Sequence, residues 1–181
     1  TVDELRLAYA TLFTLPGAPF VYYGDEIGMR YLPLPTKEGG YFRTGSRTPM
    51  QWDAGENAGF TTGTPWIGVA DNYKTINAAA EVDDPDSVRS FYKMLVHLRK
   101  THKVISEGKI EFLYPDNADL LAYRRYGAED GEELLVLCNL TEHDAPYTLP
   151  EGWADADKLL GNYPDRNDAL RPYECLILTK A

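Results

Sequence analysis

After Gly108 the sequence leaves no room for any element longer than a short strand. Six runs, "KIEFLY", "LLAYRRY", "ELLVLCNL", "PYTLP", "KLLGNY" and "ECLILTK", are set apart by turn-forming stretches such as "PDNAD", "GAEDGE", "TEHDA" and "PDRND". Gly, Pro, Asn and Asp at the breaks supply the backbone angles and local hydrogen bonds that turns need. Each run has strand length, and none continues at helical period far enough to bury a stripe. The pattern predicts an antiparallel all-β sandwich over residues 109–181.

The front of the chain follows a different rule. Val2, Leu5, Leu7, Ala8, Leu12, Phe13 and Leu15 recur at helical spacing, so residues 2–15 read as an amphipathic helix stopped by Pro16-Gly17. Phe20-Val21-Tyr22-Tyr23 is short, β-branched and aromatic, and reads as a buried strand of the parallel type. Residues 30–80 carry Gly and Pro throughout and show little periodicity; a loop of that length inside a folded protein is normally functional. A second helix is predicted from Asp84 as N-cap and Pro85 at the first helical position. Val88, Phe91, Leu95 and Leu98 form its buried stripe, with Met94 fitting less regularly. The fold class is thus α/β plus all-β, with a first part, residues 1–108, that is only a piece of an α/β layer.

Composition narrows the function. A formal net charge of −10 over 181 residues, with no block of more than two consecutive basic residues, argues against nucleic acid or an anionic membrane as partner. No stretch of about 18 apolar residues is present. The two cysteines, Cys138 and Cys175, each lie in an apolar run and read as buried small hydrophobes. No CxxC or Cys/His cluster points to a metal, and no dinucleotide or phosphate-loop fingerprint points to a cofactor. His97 and His102 stand five apart, which does not make a metal-binding helix face, and both read as surface residues.

Two features could carry chemistry. Asp25 and Glu26 follow the apolar run "FVYYG". Carboxylate pairs that cleave glycosidic bonds sit about 5–5.5 Å or about 6.5–9.5 Å apart across the bond. Adjacent residues on a strand point to opposite faces, and in a turn one of them would brace backbone. They therefore read as one structural acid and one site-facing acid, not as a catalytic pair. The second feature is "YFRTGSRTPMQWD", where Arg43 and Arg47 stand four apart among Tyr41, Phe42 and Trp52. Planar forks among aromatic faces suit a polar ring, and bracing salt bridges within the loop are an equal alternative.

Taken together, "TLPGAPFVYYGDEIGM" and "RTPMQWDAGENAGFTTGTPW" resemble the α-amylase superfamily, glycoside hydrolase family 13, in its α-glucosidase, oligo-1,6-glucosidase and trehalose synthase branch. "SFYKMLVHLRKTH" and "LRPYECLIL" fit the same branch, so the resemblance runs along essentially the whole chain. It implies the truncated end of a (β/α)8 TIM barrel over residues 1–108. Residues 2–15 would be the seventh helix, 19–24 the eighth strand, 25–80 the long eighth loop and 86–103 the last helix. A β-sandwich, domain C, would follow from 109. The resemblance also implies a retaining mechanism whose nucleophile, acid/base and third carboxylate belong upstream of Thr1, so no catalytic residue is expected in this chain. Arg43 matches the family's substrate-binding arginine, and Asp25, Glu26 and Arg47 look like supports of the site rim. Gln51 and Trp52 look like loop scaffold.

The implied substrate is a short α-glucoside oligosaccharide, with no cofactor, no metal and a cytoplasmic location. The uncovered faces of a barrel remnant would also favour self-association. The alternative is a free-standing carbohydrate-binding or interaction module built on the sandwich, which has no need of a lone barrel helix and strand.

Overall fold

The computed structural model describes residues 1–34 and 43–180. The chain divides into two compact units: residues 20–92, and residues 1–19 together with the chain from residue 93 onward.

The second of these is built on a five-stranded, wholly antiparallel sheet. Its strands are β1 (Lys109–Leu113), β2 (Leu120–Tyr126), β3 (Glu133–Asn139), β5 (Asp157–Gly161) and β7 (Cys175–Lys180), in the order β1-β2-β3-β7-β5. A two-stranded ribbon pairs β4 (Ala145–Pro146) with β6 (Ala169–Leu170). Of the run "PYTLP" only Pro146 belongs to a strand, and β6 escapes the sequence pattern because two residues are too few to show a period.

Both faces of the central strands are covered. Leu135 and Leu137 of β3, with Leu176 and Leu178 of β7, pack into one cluster with Trp153, Ala145 and Leu170 from the ribbon side. The alternate residues, Leu134, Val136, Cys138, Cys175 and Ile177, are buried as well, and that face meets α1 (Val2–Thr14). This is why "LLVLC" reads as a continuous apolar run where a one-sided sheet would alternate.

Helix α1 opens with a capping box in which Thr1 accepts from the Glu4 N–H at 3.2 Å. Its last turn contains no basic residue. Two arginines from elsewhere neutralise its carbonyl end. Arg125 of β2, fully buried, donates to Thr14 O at 2.6 Å, Gly108 O at 2.8 Å and Lys109 O at 3.1 Å. Arg99 donates to Phe13 O at 2.8 Å and Leu15 O at 3.1 Å, and also to Gly17 O.

Three expectations are corrected. Phe20–Tyr23 forms no strand, and Phe20 is 92% exposed. Among the described residues no other strand lies beside it to complete a ladder, so its apolar side chains have nothing to bury against. Helix α3 (Val88–Thr101) is capped by Ser87, whose hydroxyl accepts from Ser90 N at 3.1 Å, and not by Asp84. Asp84 instead accepts from Asp86 N in the preceding turn at 2.9 Å. Finally, His102 is no bare surface residue: it breaks the helix ahead of α4 (Lys103–Glu107), and its Nδ1 lies 2.5 Å from Glu132 Oε1.

Residues 20–92 contain the 3-10 turns Asp25–Ile27, Thr44–Ser46, Glu56–Gly59 and Asp71–Lys74, and the short helix α2 (Ala78–Glu81). Polar side chains do much of the bracing. Gln51 is fully buried; its side-chain amide donates to Ile76 O, and its main-chain carbonyl accepts from Ala78 N at 2.9 Å. Asn77 caps α2 by accepting from Ala80 N at 2.8 Å. Gly45 lies so close to Leu32 that a Cβ there would stand 1.6 Å from the Leu32 carbonyl oxygen.

Candidate functional site

The turn Tyr22–Met29 decides what Asp25 and Glu26 can do. Gly24 and Gly28 adopt φ of 91° and 66°, values that exclude most side chains, and they fold the segment into a single tight turn. Inside it Asp25 accepts from Tyr22 N at 3.0 Å and Glu26 accepts from Gly24 N at 2.7 Å. Each carboxylate is therefore held by a backbone N–H of its own turn.

Around this turn the loop residues build a cavity of about 460 Å³. Its walls include Tyr23, Glu26, Arg47, Trp52, Phe60 and Trp66. Tyr23 donates its hydroxyl to Thr48 O at 2.9 Å, which fixes the "RTPMQW" segment against the turn. The main chain of Trp52 is braced on both sides: its N–H donates to Ala58 O and its carbonyl accepts from Ala79 N, each at 2.9 Å. The ring is left on the cavity wall, 52% exposed. Trp66 is 71% exposed and Phe60 50%. Flat apolar faces with one carboxylate and one guanidinium beside them match the chemistry of a pyranose, which offers CH faces and a rim of hydroxyls.

The electrostatics are acidic. The Tyr92 phenol is pushed up to about 12, first by burial and then by the nearby Asp25 and Glu26 carboxylates. The Glu81 carboxyl is also raised: burial dominates, Asp84 and Glu26 add to it, and the Arg89 N–H at 3.0 Å opposes it. The phenol of Tyr23 is raised by burial and by Tyr22, with the Arg47 charge opposing. Tyr92 thus remains a neutral hydroxyl, and the acids near it favour hydroxyl donors over anions.

The two arginines are placed differently. Arg47 lines the cavity together with Glu26. Arg43 is exposed at the start of the Thr44–Ser46 turn, where its carbonyl accepts from Ser46 N at 3.2 Å. Tyr41 and Phe42, which flank it in sequence, lie outside the described residues. Gln51 is scaffold, as its sequence context suggests, whereas Trp52 serves both as scaffold and as wall. Phe60 and Trp66 escape the sequence pattern, because an aromatic residue in an aperiodic loop carries no period to show which way it faces. Among the described residues no group of three or more His, Cys, Asp or Glu could hold a metal ion. No helix among them is long and apolar enough to cross a membrane.

Residues 1–108 match the family model described as "Alpha amylase, catalytic domain". The chain belongs to this family. Over 99% of its length it is 36% identical to the trehalose-6-phosphate hydrolase of Bacillus subtilis (strain 168), and it spans 38% of that protein. It is 37% identical to the oligo-1,6-glucosidase of Heyndrickxia coagulans over 96% of the chain, which is 36% of the relative. Among solved structures, the trehalulose synthase of Pseudomonas mesoacidophila superposes with a TM-score of 0.85 at 31% identity. The trehalose-6-phosphate hydrolase of Bacillus licheniformis superposes at 0.84 and 32%. Each of these superpositions covers 98% of the chain and 38% of the solved protein. The chain therefore corresponds to well under half the length of its α-amylase-family relatives.

Proposed function

We propose that the chain is the C-terminal part of a retaining α-glucosidase-type hydrolase that acts on short α-glucosides. Residues 1–108 form the end of its (β/α)8 catalytic barrel, including the long eighth loop, and residues 109–181 form its β-sandwich domain C. In this reading the chain supplies the wall and rim of the sugar site, while the nucleophile and the acid/base come from elsewhere in the enzyme. Arg43 grips the substrate; Asp25, Glu26 and Arg47 hold the rim.

The observation that carries the reading is the turn at Tyr22–Met29, seen in a chain related to glucosidases along nearly its whole length. Both of its carboxylates are bonded to backbone N–H groups, and only Glu26 also reaches the cavity wall. A pair so held cannot flank a glycosidic bond with one acid protonated and the other poised to attack. The test is incubation of the purified chain with an aryl α-glucoside and with isomaltose. No turnover is expected; activity that persists through repurification and tracks with the protein would overturn the assignment. Within the full-length enzyme, Arg43→Ala should lower kcat/KM by about 10²-fold, the cost of charge-assisted hydrogen bonds to sugar hydroxyls. Arg43→Lys should recover little, since a point charge does not reproduce the planar fork.

A further inference from the structure

Cys138 and Cys175 are the two free cysteines of the chain and both are fully buried. They are register partners on neighbouring strands, β3 and β7. The hydrogen bond from Asn139 N to Glu174 O, at 2.8 Å, joins the residues just beyond them, which makes Cys138 and Cys175 a non-hydrogen-bonded pair of the antiparallel ladder. In such pairs the Cα atoms stand about 4.5 Å apart and the side chains are at their closest, within the range that a disulfide bridges. The sulfurs are 3.6 Å apart. Over them lies α1, with Thr11 Oγ1 at 3.7 Å from Cys138 Sγ. We propose that Cys138 and Cys175 are a modification site: a cross-strand dithiol that a small hydroperoxide converts to an intramolecular disulfide, with α1 as the cover that must lift.

Both thiols are fully buried beneath α1, and hydrogen peroxide, close to water in size, is the oxidant that needs the smallest opening there. One thiolate attacks a peroxide oxygen, the O–O bond breaks, and the departing hydroxide takes up a proton and leaves as water, giving a sulfenic acid. The second sulfur attacks the sulfenic sulfur, the S–O bond breaks, and the hydroxyl leaves with the second thiol's proton as another water. Two thiols and one peroxide thus give one disulfide and two waters. Hydrogen bonding from Cys138, followed by burial, pushes the Cys175 thiol up, so the pair is inert while covered and reacts as α1 detaches.

The test is to expose the folded chain to hydrogen peroxide, then to count thiols in denaturant and map peptides without reductant. Expected are the joint loss of both thiols, a cross-linked peptide pair containing residues 138 and 175, and an oxidised form with a higher urea midpoint. In Cys138→Ala, Cys175 should oxidise to sulfenic and sulfinic acid without any intramolecular link. Cys175→Ala is the reciprocal variant if the first fails to fold. Leu7→Ala, which loosens the buried face of α1, should speed thiol loss several-fold. Thiols that persist until the protein is unfolded, single oxidised cysteines without the cross-link, or an unchanged rate in Leu7→Ala would overturn the proposal.

Discussion

The two units of this chain are held together by different means. The sheet unit has apolar side chains on both faces of β3 and β7, and the fully buried cation Arg125 ties helix and strand together through three carbonyls. Residues 20–92 instead rely on close backbone approaches and on side chains that bond to backbone: Asp25, Glu26, Gln51 and Asn77. The sheet unit buries its Trp, Trp153, whereas the loop unit leaves Trp52 and Trp66 open. The open tryptophans of residues 20–92 line the cavity, while the tryptophan of the sheet unit is part of its core.

The largest effect that would break this contrast comes from Arg125→Ala. Removing a buried guanidinium strands three carbonyls at the junction of α1 and the sheet, and should cost about 3–5 kcal/mol by urea denaturation. A loss under about 1 kcal/mol would mean that apolar packing and Arg99 hold α1 without Arg125. Next is Gly45→Ala. The added Cβ collides with the Leu32 carbonyl and should break the Leu32 N–H bond to Gly45 O, which is 3.1 Å long. The expected cost is about 1–3 kcal/mol, read as faster hydrogen exchange within residues 20–92 and unchanged exchange in β3 and β7.

These two residues also show how far the sequence could be read. Helices α1 and α3 and the long strands were legible because burial on one face imposes a period, and periods survive without coordinates. The strand expected at Phe20–Tyr23 failed because apolar and β-branched composition signals a buried strand only where neighbours exist to pair with it. The site was half legible. "RTPMQW" marked Arg47 and Trp52, but the sequence gives no way to see that Glu26 would share a cavity with Phe60 and Trp66. Those contacts depend on turns at Gly24, Gly28 and the αL pair Asn57 and Ala58, with φ of 51° and 56°. Ala58 is an unusual residue for that region, so composition could not announce the turn.

Smaller effects sharpen the picture. Asn77→Ala removes the cap of α2 and should cost about 1 kcal/mol, with Asn77→Asp restoring most of it; equal stability of Asn77→Ala and the parent would remove the cap from the account. The smallest is a pH effect at Glu81. Its folded-state pKa lies above the ordinary 4.5, so the folded form binds its proton more tightly than the unfolded form. Its contribution is therefore favourable below 4.5 and is lost as pH rises through the raised value. Glu81→Gln keeps an acceptor for the Arg89 N–H and should flatten that part of the stability–pH curve. A steeper curve in the variant would reverse the sign assigned here.

The proposal that the loop unit meets the sugar while the sheet unit makes no contact with it can be tested by the indole N–H signals of the three tryptophans during titration with isomaltose. Trp52 and Trp66 should shift together and saturate, while Trp153, buried against Lys180 at 4.5 Å, should not move. A saturating shift at Trp153, or none at Trp52 and Trp66 in the full-length enzyme, would contradict the account.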